Sequence, residues 1–70
     1  MLENYSRIRL LTDDHRSEGA QKGSIGYIIE TYPDGAYEVE FSDSHGVNYA
    51  RFVARQEELQ LAESALANAA

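Results

Sequence analysis

Residues 36–41 alternate strictly: Tyr37, Val39 and Phe41 fall on one side, Glu38 and Glu40 on the other. Successive side chains of a strand point to opposite faces, so this is a strand with one face buried and one in water. Residues 6–11 follow the same rule more weakly, with Ile8 and Leu10 opposed to Arg7 and Arg9. Residues 24–32 make the strongest predicted strand, but its two faces compete. Ile25, Tyr27 and Ile29 share one, while Gly26, Ile28, Glu30 and Tyr32 share the other. Such a strand is expected to bend, with Gly23 and Gly26 as the points of curvature or of a bulge. The expected core gathers Ile25, Ile29, Val39 and Phe41.

The connections read as clearly. Pro33-Asp34-Gly35 suits a tight turn, because proline presets one backbone angle and glycine accepts a positive φ that side chains resist. Residues 42–46 (Ser-Asp-Ser-His-Gly) make a second turn, and residues 47–54 the next strand. In that strand Val47, Tyr49 and Val53 oppose Phe52 and two alanines, and Phe52 is expected beneath the long first loop. That loop, residues 12–23, is polar and too long for a hairpin, so it either folds back over the sheet or stays mobile. Residues 55–58 fit one helical or 3₁₀ turn. Residues 59–61 fit a short closing strand with both leucines inward.

About five short antiparallel strands in a 70-residue chain predict an all-β fold, a small SH3-like barrel over residues 1–61. Closing the sheet would remove its exposed edges. An open four-stranded sheet with a terminal helix is the alternative. Residues 62–70 form an alanine-rich C-terminal tail, helical or frayed, too short to hold a helix without tertiary contacts.

Particular residues resemble a family of small bacterial proteins, DUF4926. They are Lys22-Gly23, the run Gly26-Tyr27-Ile28-Ile29-Glu30, and the turn Asp34-Gly35. Tyr37-Glu38-Val39-Glu40-Phe41, Asp43, Gly46 and Glu58-Leu59 continue the match, which covers residues 8–61. The resemblance implies an SH3-like domain of unknown function with no established activity. Some relatives are similar to small proteins encoded beside toxin or restriction-like modules, which points to an antitoxin or immunity-type accessory role. Glycine-rich hairpins of this form also occur in KOW-like modules. This chain departs from their nucleic-acid-binding members by lacking a basic surface.

Composition narrows the function. Twelve acidic residues against six basic ones give a net charge of −6, which opposes phosphate backbones and favours a basic partner. With no cysteine, disulfides and Cys-based zinc sites are excluded. No apolar run exceeds three residues, so no membrane span is expected, and the first residues do not read as a secretory signal. A cytoplasmic protein is the plain expectation. A core this small also makes association with a second copy an expectation.

No catalytic constellation, cofactor motif or metal signature is present in the pattern. Asp13, Asp14, His15 and Glu18 in the first loop, with Asp43 and His45 in a later one, carry ligand-type side chains. Their spacing fits no calcium or zinc pattern, and a solvated loop explains them better. The five tyrosines suggest an aromatic surface beside acidic loop residues, as in peptide-binding grooves. Core use is favoured for Tyr27 and Tyr37, because tyrosine suits strands and covers small cores. The protein-binding candidates are therefore Asp13, Asp14, Glu18, Tyr32, Glu38, Glu40 and Tyr49. The expected function is a small acidic, non-enzymatic protein-interaction module. A KOW-like nucleic-acid-associated module is the alternative, and it requires Arg7, Arg9, Arg16, Lys22, Arg51 and Arg55 to gather on one face.

Overall fold

The computed structural model describes residues 2–62. Five strands follow in order: β1 Arg7–Leu10, β2 Ile25–Thr31, β3 Ala36–Ser42, β4 Asn48–Arg55 and β5 Leu59–Leu61. Single 3₁₀ turns lie at Arg16–Glu18 and Gln56–Glu58. The alternation read from the sequence thus produces every expected strand and the turn before the last one.

All pairings are antiparallel, and the sheet order is β4-β3-β2-β1-β5. The expected SH3-like barrel is not formed, because β4 and β5 do not pair and the sheet stays open with one of them at each edge. Closure of a sheet needs a ladder between its edges, with matched tilt and stagger. Here β5 has only three residues, and β1 uses them. Side chains bridge the two edges instead. The His15 ring stacks on Phe52 of β4 at a centroid distance of 4.1 Å, and its Nε2 lies 2.8 Å from Glu58 Oε2, just before β5. The tail expected over residues 62–70 lies outside the described residues beyond Ala62. Ala62 itself is buried and donates its N–H to the Arg7 carbonyl.

The core occupies the inner face. Ile8, Leu10, Ile28, Val39 and Phe41 are fully enclosed, and Phe52, Tyr37, Leu59 and three alanines complete the cluster with Ala20 from the first loop among them. Each large apolar side chain so enclosed contributes about 1.5–3 kcal/mol. β3 faces as predicted, with Tyr37, Val39 and Phe41 inward. β2 does not: Ile28 is enclosed, Ile25 and Ile29 are half-buried, and Tyr27 is 49% exposed instead of serving the core.

The reason is Gly26, which pairs directly with Phe41. A Cβ at Gly26 would lie 2.6 Å from the Phe41 ring and 2.6 Å from the Glu40 carbonyl oxygen. The bare backbone therefore holds the place the ring fills, and this fixes which face of β2 turns inward. The irregularity sits later than expected, between Ile28 and Glu30. Ile28 pairs with Val39 but Glu30 pairs with Glu38, so Ile29 is the extra residue. β5 departs in one respect: Leu59 is buried, whereas Leu61 at the sheet margin is 51% exposed.

The two hairpins use one device. The Gly35 N–H donates to the Tyr32 carbonyl at 3.0 Å, and the Tyr32 N–H to the Ala36 carbonyl at 2.9 Å, with Gly35 at φ 90°. Only a residue without Cβ adopts that angle at low cost. The second turn repeats these bonds at Asp43, Gly46 and Val47, and Asp43 Oδ1 accepts the N–H groups of His45 and Val47. The first loop folds back over the sheet, one of the two courses expected of it. Asp13 Oδ1 accepts the Lys22 N–H at 2.8 Å, Ala20 is buried, and His15 covers Phe52.

Candidate interaction surface

Residues directly opposite in antiparallel strands share a face, so the pairings define rows across the sheet. The outer face carries one row of Arg7, Tyr27, Glu40 and Arg51 across β1 to β4. A second row, one step along, consists of Glu30, Glu38 and Val53. Two carboxylates thus stand directly opposite each other. That placement is destabilising unless something answers it.

Glu38 is answered twice. Tyr32 Oη donates to its Oε1 at 2.8 Å, and Arg51 Nε donates to its Oε2 at 3.1 Å. These contacts leave its side chain only 16% exposed. The hydrogen bond to Glu38 is the main cause raising the Tyr32 pKa above its ordinary 10.0, with desolvation and the charges of Glu38 and Glu30 adding to it. The hydroxyl therefore remains a donor through the neutral range. Among the described residues Glu30 shows a local bond, accepting the N–H of Thr31. A cleft of about 320 Å³ opens at the hairpin end, lined by Thr31, Tyr32, Pro33, Gly35 and Tyr37. Tyr37 Oη accepts the Leu2 N–H and donates to Gln56 Oε1, tying the start of the chain to the turn after β4.

The predicted binding residues divide between the two sides of the sheet. Tyr32, Glu38 and Glu40 belong to the outer face of the β2–β3 hairpin. Asp13, Asp14 and Glu18 belong to the loop that covers the inner face, and Tyr49 stands at its margin. The Tyr49 ring lies 6.3 Å from Phe41, and its carbonyl would be 3.2 Å from a Cβ on Gly19. Asp13 organises the loop, pairing with Arg16 as well as accepting the Lys22 N–H, and that backbone hydrogen bond leads the causes lowering its pKa. Asp14 is exposed, and Glu18 accepts a hydrogen bond from Ser17. A single acidic surface joining loop and hairpin is therefore not what the fold presents.

His15 and His45 are put to different uses. His15 bonds Glu58, whereas the His45 backbone N–H closes its turn on Asp43. Burial raises the Glu58 pKa, but the Arg55 N–H and the His15 contact outweigh it, and the net shift is downward. Among the described residues no group of three or more His, Asp or Glu side chains is placed to hold a metal ion. No helix among them is long and apolar enough to cross a membrane. Sequence reasoning missed Glu30 as the group facing Glu38, because that pairing depends on the irregularity at Ile29. It also missed the His15–Glu58 contact, which joins positions 43 residues apart and leaves no local signature.

No curated protein and no solved structure matches the chain. The model of a domain of unknown function, DUF4926, matches residues 5–61, a span that holds all five strands and the loop whose histidine bridges the sheet edges. The chain belongs to the DUF4926 family.

Proposed function

We propose that this protein is a non-enzymatic protein-interaction module that presents the outer face of β2 and β3 to a basic segment of its partner. The supporting observation is the outward Glu30–Glu38 pair, with Glu40 beside it. A sheet gains nothing from like charges facing each other, whereas a cation arriving from outside relieves both. Exposed Tyr27 and Val53 flank the carboxylates and supply apolar contact. An antitoxin or immunity-type accessory role is one form such a module takes.

The KOW-like alternative receives less support. Arg51 pairs with Glu38, Arg16 with Asp13 and Arg55 with Glu57, so at least half of the chain's basic residues already face carboxylates. A lysine-rich peptide titrated into labelled protein tests the proposal. Amide shifts confined to Tyr27, Glu30, Glu38 and Glu40, and abolished by Glu30→Gln with Glu38→Gln, are expected. Absent binding, or shifts equally strong at Asp14 and Glu18, would count against it.

A further inference from the structure

The two edges of the sheet are unlike each other. β5 is three residues long, which is the usual way an edge is made unattractive to other strands. β4 is eight residues long, the longest strand among the described residues, and contains no proline. Its only irregularity lies at its start, between Phe41 and Ser42 of the neighbouring strand. The first loop packs on it through the His15 ring over Phe52 and through Gly19 beside the Tyr49 carbonyl, but among the described residues no backbone hydrogen bond joins that loop to β4. The core also stops at this edge, with Ala50, Phe52 and Ala54 as its last inward residues.

We propose that the β4 edge is a self-association surface, where two copies pair antiparallel with Phe52 opposite Phe52 on a two-fold axis. The register follows from the strand itself. Pairing must keep inward residues opposite inward ones, because a slip of one residue would reverse every side chain. Centring on Arg51 preserves the faces but sets two guanidinium groups against each other. Centring on Val53 sets Arg51 against Arg55. Centring on Phe52 places Ala50 opposite Ala54 within the core. On the outer face it places Arg51 opposite Val53, and at the strand ends Tyr49 opposite Arg55, with no like charges directly opposite. This pairing gives the unpaired β4 backbone partners while keeping Ala50, Phe52 and Ala54, already buried in each copy, in one continuous inner layer. The two surfaces meet at Arg51 and Val53 on the outer face. One is read by mass and the other by peptide shifts at Glu30 and Glu40, so either proposal can fail without the other.

Sedimentation equilibrium of the full chain tests it. The mass is expected to rise from 7.8 kDa toward twice that with concentration, while β4 amides exchange more slowly. Val53→Arg places a guanidinium opposite Arg51 of the second copy at two symmetric positions. Within one chain the new residue faces Glu38, so the fold is retained. The dissociation constant is expected to rise about tenfold. A chain monomeric at every concentration overturns the proposal and leaves β4 to a strand of another protein. A dimer indifferent to Val53→Arg, or one whose β4 amides exchange unchanged, overturns it equally.

Discussion

The β2–β3 pair is complementary on its inner face and in conflict on its outer one. Inward, a residue with no side chain meets a phenylalanine, and Ile28 meets Val39. Outward, Glu30 meets Glu38, and the repulsion is eased by groups borrowed from Tyr32 and Arg51. The same two backbones carry both rows, so the difference lies wholly in side chains. Stability is concentrated on one side of the pair, and on the other a like-charge pair is held with partial compensation.

The largest test of this contrast is Phe41→Ala, which removes the ring from Gly26 and from its stacked neighbour Phe52 at 5.4 Å. A loss of about 3–5 kcal/mol is expected. In a domain of this size that leaves the chain unfolded by circular dichroism at room temperature. Gly26→Ala approaches the same outcome from the opposite direction. The added methyl meets backbone as well as ring, and about 3 kcal/mol of loss is expected in urea denaturation. Combining Gly26→Ala with Phe41→Leu is expected to cost less than the sum, since the two positions share one space.

Neighbouring residues of β2 sharpen the contrast further. Ile28→Ala is expected to cost about 2–5 kcal/mol, and Tyr27→Ala less than about 1 kcal/mol, although the sequence alone places both in apolar company. Equal costs would mean that the strand's facing is misassigned. Glu30→Lys replaces a repulsive cross-strand pair with an attractive one. It is expected to raise stability by about 0.2–1 kcal/mol while weakening any basic ligand.

The smallest effect is in acid. Glu58 titrates below its ordinary 4.5, so the folded state favours its charged form. Its contribution is present above that value and disappears as pH falls through the lowered folded pKa. Denaturation midpoints of the wild-type chain and Glu58→Gln are therefore expected to converge at the acid end and to separate toward neutrality.

Much of this molecule is written locally. The alternation of β3, the two glycine-closed turns and the 3₁₀ turn before β5 all follow from short stretches of sequence. Two features do not. The facing of β2 depends on Gly26 meeting Phe41, and a strand apolar on both sides offers no local means of choosing. Tyr27 is misplaced for that reason. Closure of the sheet depends on whether β4 meets β5, and each reads as an ordinary strand when taken alone. The binding candidates divide in the same way. Their solvent-facing character is legible from alternation, whereas their separation onto opposite sides of the sheet depends on where the first loop comes to rest.

The strand order also sets a schedule for folding. β2, β3 and β4 are joined by short turns, so their ladders are local contacts that cost little loop closure. β1 pairs with β2 across the first loop and with β5 across most of the chain, residues 8–10 lying against residues 59–61. The β1–β5 ladder, the pairing of longest sequence separation in the sheet, is therefore expected to close last.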